Sequence, residues 1–71
     1  MAYRLRIDQL RNAALKAGDQ RPADIAKRTG ISESALSRML RGQSTPGLVT
    51  IMKLRDSYGL TNKDLIEEVA A

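Results

Sequence analysis

Apolar positions along this chain recur at helical spacing in five successive stretches, separated by glycine, proline or short polar turns. Ile7, Leu10, Ala14 and Ala17 mark the first stretch; Asp8 suits its opening turn, Lys16 its last, and Gly18 stops it, predicting a helix over 7–17. The residues before it, with Arg4 and Arg6 alternating, read either as an arm or as a first helical turn. Asp19 to Pro22 forms a linker, and Pro22 suits the first position of a second helix over 22–29, where its missing N–H is not needed. Within that helix Ile25, Ala26 and Thr29 share one face, and Asp24, Lys27 and Arg28 the other. Gly30 ends it in the left-handed conformation that glycine adopts at little steric cost.

After Ile31 bridges the turn, Ser32 is an N-cap for a third helix over 32–41, which Gly42 closes. Advancing about 100° per residue from Glu33 places Glu33, Ser34, Ser37, Arg38 and Arg41 in one arc of roughly 140°. Ala35, Leu36, Met39 and Leu40 take the opposite side, so this helix can pack on one face and offer a hydroxyl-rich, basic face to a partner.

A polar loop from Gln43 leads through Thr45-Pro46-Gly47 into a fourth helix over 47–58, with Leu48, Ile51 and Leu54 as inward positions. Thr61 and Asp64 form a capping box that introduces a fifth helix over 61–70, carrying Leu65, Ile66 and Val69. The pattern therefore predicts an all-α, five-helix domain spanning 1–71, with no strand and no internal repeat.

Composition narrows the possibilities. Seventy-one residues make one small domain, and the absence of cysteine and histidine removes disulfide staples and the two commonest zinc ligands. No apolar run approaches the roughly 20 residues of a membrane span, so a cytoplasmic location is expected. Charge is uneven: eleven Lys and Arg against four acids give +7 over residues 1–55, while residues 56–71 carry −3. A polyanion is the expected partner on the basic side. A carboxylate pair in the core and a glycine-rich phosphate loop are both missing, so no enzyme is expected and no cofactor or metal is called for.

Residues 22–65 resemble the helix-turn-helix domain of the phage Cro and C1 repressor family, also found in many bacterial regulators. Ala26, Gly30, Ile31, Leu36 and Gly42 carry the likeness through the motif at 22–41. It continues without a gap through Pro46, Leu48, Thr50, Ile51, Lys53, Leu54, Gly59, Leu60 and Leu65. The resemblance implies a compact lambda-repressor-like fold, a site of action in a bacterial cytoplasm or nucleoid, and sequence-specific binding of double-stranded DNA, most simply to repress transcription. Three departures stand out, the first being a connection from Leu10 to Ala26 about one helical turn longer than the family's usual spacing. Where the family opens its second helix with a phosphate-contacting Gln this chain has Pro22, leaving Arg21 or Gln20 to take that role, and Arg55 replaces a small residue, so its side chain must reach the surface.

An α-helix fits the major groove and meets base edges from its exposed face, which makes Glu33, Ser34, Ser37, Arg38 and Arg41 the base-contacting set. Arg38 is suited to a bidentate contact with guanine, but a phosphate contact or a solvated charge is nearly as good a reading. The Glu33 carboxylate suits a cytosine amine and equally suits the helix dipole alone. Arg21, Lys27, Arg28, Ser32, Gln43, Ser44, Thr50 and Lys53 flank the groove and form the phosphate-contacting set, with Ser32 also the cap and Lys27 and Arg28 open to reading as an ordinary solvated face. Leu60, Ile66 and Val69 in the acidic tail either form a homodimer surface or close the core over the first helix. A rival function remains open: a protein-interaction module of the same fold, such as a coactivator or antitoxin-like adaptor.

Overall fold

The computed structural model describes residues 2–69. Its elements run β1 (Ala2–Leu5), α1 (Ile7–Lys16), α2 (Pro22–Thr29), α3 (Glu33–Leu40), α4 (Leu48–Tyr58), α5 (Asn62–Leu65) and β2 (Ile66–Val69). Leu10, Leu36, Leu54 and Leu65 are fully buried at the centre, one from each of four helices, and Ala14, Ile25, Ile31, Met39, Leu40 and Ile51 surround them. This aliphatic cluster carries the stability of a chain that has no disulfide to add.

Among the described residues five helices lie where the spacing puts them, with ends displaced by a residue or so except at the tail. The first helix stops at Lys16, and Ala17, expected on its apolar face, is exposed in the turn that follows. The fifth helix is a single turn. Its capping box forms as expected, Thr61 Oγ1 accepting from the Asp64 N–H at 3.2 Å and Asp64 Oδ2 accepting from the Thr61 N–H at 3.0 Å. After Leu65, however, the chain extends instead of continuing as a helix to residue 70, and Ala70 lies outside the described residues.

The all-α expectation is thus corrected by a two-stranded antiparallel ribbon that joins the two ends of the chain. Ala2 lies opposite Val69, Tyr3 opposite Glu68, Arg4 opposite Glu67 and Leu5 opposite Ile66. The Arg6 N–H extends the pairing to the Leu65 carbonyl at 2.6 Å. Ile66 and Val69, three apart, suit a helix face as well as a strand, and the partner that decides the matter is some sixty residues away. Arg4 and Glu67 form an ion pair across the ribbon, with Arg6 Nη1 3.5 Å from the same carboxylate. The acidic tail therefore folds back on the first two arginines of the basic part. On the ribbon's other strand face, Leu5 is buried, and the Tyr3 hydroxyl donates to the Pro46 carbonyl at 2.6 Å, tying the ribbon to the loop before α4.

One inward expectation on α4 also fails. Ile51 and Leu54 are buried, but Leu48 is 72% exposed. Leu48 lies about 120° round the axis from Leu54, on the solvent side, and the apolar residue buried at this end of the helix is Pro46 in the loop before it. Arg55 does reach the surface, its guanidinium meeting Asp56 Oδ1 at 3.3 Å and Asn62 Oδ1 at 3.4 Å.

Candidate nucleic-acid interface

The α2–turn–α3 unit is set by local chemistry. Arg21 N–H donates to Asp24 Oδ2 at 3.3 Å at the start of α2, and Pro22 takes its first position. At its end Gly30 has φ of 78° and returns its N–H to the Ala26 carbonyl at 2.8 Å, a single left-handed residue closing the helix. Thr29, the one buried polar residue among the described residues, has no unmet side-chain group: its Oγ1 donates to the Ile25 carbonyl at 2.8 Å and accepts from the Ile31 N–H at 3.3 Å. That hydroxyl fixes the turn while Ile31 inserts into the core.

Ser32 Oγ accepts from the Ala35 N–H at 3.3 Å and starts α3. The far end is closed by a Schellman motif, with Gln43 N–H bonded to the Arg38 carbonyl at 2.9 Å, Gly42 N–H to the Met39 carbonyl at 3.0 Å, and Gly42 at φ 75°. Between these caps the two faces separate as the sequence predicts. Leu36, Met39 and Leu40 are buried and Ala35 packs against the same cluster. Glu33, Ser34, Arg38 and Arg41 are exposed, Ser37 is half-buried, and these five side chains line one shallow open surface. Arg41 folds back along the helix, its Nε donating to the Ser37 carbonyl at 3.2 Å. Among the described residues no carboxylate comes within 4 Å of the Arg38 guanidinium, which keeps its donors for an outside acceptor.

The proposed flanking set is less uniform. Lys27, Gln43, Ser44 and Lys53 are exposed and Thr50 is half-buried. Arg21 is exposed but paired with Asp24 at 3.7 Å. Arg28 is exposed but engaged within the chain: it forms an ion pair with Asp19, donates from Nη2 to the Ala17 carbonyl at 3.2 Å, and its guanidinium lies over the Tyr58 ring, 5.8 Å from the centroid. The Arg28 hydrogen bond, with help from Tyr58, holds the Asp19 carboxyl below the usual carboxylate range. Burial pushes the Tyr58 phenol upward, and Asp19 adds to the effect. Of the three tail residues, Leu60 and Ile66 pack half-buried on the core and Val69 is exposed at the end of the ribbon.

Two features escape sequence reasoning. Asp19 reads as linker, yet it joins α2 to the end of α4; nothing in its local pattern signals this. Arg11 on α1 carries no motif, yet its Nη2 reaches the Leu40 carbonyl at 3.5 Å, placing a positive charge at the negative end of α3. No helix among the described residues is long and apolar enough to cross a membrane.

No curated protein and no solved structure in the comparisons matches the chain. A family model, of a helix-turn-helix domain, does, from residue 3 to residue 69, taking in all of β1 but Ala2 and every other described element. With a capped helix pair, a left-handed glycine between them and an open polar face on the second helix, the chain belongs to the helix-turn-helix domain family.

Proposed function

We propose that this chain is a sequence-specific DNA-binding transcriptional regulator of the Cro and C1 type, most simply a repressor, acting in a bacterial cytoplasm or nucleoid. Helix α3 enters the major groove, Glu33, Ser34, Ser37, Arg38 and Arg41 meet base edges, and α2 crosses the backbone. One observation carries the reading: the same five side chains that form the outer arc of α3 line a single open surface, while the inner arc is buried. Arg21, Lys27, Ser32, Gln43, Ser44, Thr50 and Lys53 supply phosphate contacts on either side. Arg28 serves a different end, holding Asp19 and so the loop that positions α2.

Selection of bound sequences from a random duplex pool, followed by titration at several salt concentrations, tests this. A regulator yields a defined sequence and an affinity that falls steeply with salt. Indifference to both sequence and salt overturns the reading and leaves the adaptor role, in which α3 meets a protein.

A further inference from the structure

Between α1, the start of α2 and the last residue of α3 lies a hollow of about 200 Å³. Ala14, Ile25 and Leu40 form its floor, all three buried in the core cluster. Leu15 supplies an apolar wall and is 60% exposed, the one exposed large apolar side chain on these three helices among the described residues. Alone it would be an ordinary surface leucine. Here it extends the floor into a concave apolar surface.

The rim is polar, and its two charges differ in what they have left to offer. Asp19 stands on it with both carboxylate oxygens already accepting, Oδ2 from Tyr58 and Arg28 and Oδ1 from Arg28 at 3.4 Å. Arg11 stands on it with a guanidinium that meets no carboxylate within 4 Å among the described residues. The bond from its Nη2 to the Leu40 carbonyl, at 3.5 Å, takes one of its five N–H donors and holds the group at the α3 end of the hollow.

We infer that this hollow binds a small apolar carboxylate: one ring, or a branched chain of similar size, bearing one carboxyl group. The floor and Leu15 take the apolar body, and Arg11 takes the carboxylate through paired N–H donors. Volume sets the size, since a cavity of roughly 150 Å³ holds one benzene ring. Charge sets the sign, because Arg28 neutralises Asp19 and leaves Arg11 as the unpaired charge on the rim. Inorganic phosphate would use Arg11 but not the floor, and a neutral apolar molecule the floor but not Arg11. The hollow shares no lining residue with the outer face of α3, so the ligand binds whether or not that face reads DNA. About nine non-hydrogen atoms, covered by protein on one side, correspond to a dissociation constant on the order of 1 mM.

The test titrates the isotope-labelled chain with sodium benzoate at constant ionic strength and follows backbone amide shifts, with benzyl alcohol and inorganic phosphate as controls. The expected result is saturable shifts at Leu15, Gln20, Ile25 and Leu40, with each control weaker by roughly tenfold or more. Arg11→Met keeps the apolar stem, loses the guanidinium and weakens benzoate by about tenfold. Leu15→Gln, at an exposed position, weakens it several-fold without loss of the fold. Absence of saturation up to about 50 mM overturns the inference. So does benzyl alcohol or phosphate binding as tightly as benzoate, or full benzoate affinity in either variant. Shifts centred on Arg38 and Arg41 also overturn it, because the anion is then drawn to the basic face of α3 instead.

Discussion

The Tyr58 hydroxyl donates a 2.8 Å hydrogen bond to Asp19 Oδ2, linking the end of α4 to the loop between α1 and α2 across 39 residues of sequence. Arg28 holds the same carboxylate from α2, so one acid fastens three parts of the chain around the helix pair.

That arrangement fixes how stability depends on pH. Asp19 is held low by Arg28, Asp64 by the Thr61 backbone N–H, and Glu67 by Arg4. A carboxylate lowered on folding stabilises the fold fully above its unfolded pKa, near 4, and loses that contribution as pH falls through the folded value. Tyr58 is raised, so its contribution is complete below its unfolded pKa, near 10, and is lost as pH climbs beyond it. With no histidine and no cysteine, stability is level from about pH 5 to 9. Thermal melts across pH should show this plateau; Asp19→Asn should flatten the acid limb and Tyr58→Phe the alkaline one.

Arg38→Ala should weaken binding to the selected site by about 1–3 kcal/mol and relax the preference at one base pair. Lys27→Ala should weaken all sequences alike and reduce the salt slope by about 1. Titrations against the selected duplex and single-base variants separate the two. Equal behaviour of both variants would place Arg38 on phosphate.

Gly30 sits at φ 78° with open space where a Cβ would project. Gly30→Ala therefore costs only what the left-handed backbone costs an L-residue, about 1–2 kcal/mol. Gly30→Asn should cost less, since asparagine tolerates this conformation better. Chemical denaturation measures both, and a loss from Ala far beyond this range would mean that the turn is crowded after all.

Leu36 ties α3 to the core, and Leu36→Ala should destabilise by about 2–5 kcal/mol. In a domain of this size that is a large part of the total, so the expected readout is a transition midpoint lowered by many degrees. At temperatures where the variant remains folded, its outer face and its DNA preference should be unchanged.

Legibility in the sequence followed the range of the interactions. Helix α3 could be read in full because its cap, its two faces and its closing glycine are encoded within eleven residues, Ser32 to Gly42. The turn at Gly30 could be read for the same reason. The ribbon could not, because Ile66 and Val69 carry no sign of Leu5 and Ala2 as partners. Leu48, Ile51 and Leu54 follow one another at intervals of three, but each such step drifts about 60° round the axis, which leaves Leu48 on the solvent side. Arg28 looked like one more free cation beside Lys27; Asp19 and Tyr58, brought to it by the fold, gave it another task.

The pairing of Ala2 with Val69 makes the backbone almost a closed ring. A short peptide joining those two positions, with a new opening cut elsewhere on the surface, should yield a permuted protein in which every helix keeps its neighbours. The same geometry sets an order of assembly: the ribbon closes a span of 63 residues between Arg4 and Glu67, so the helices must gather before its strands can meet. Anything fused to either end leaves the molecule at this one pole.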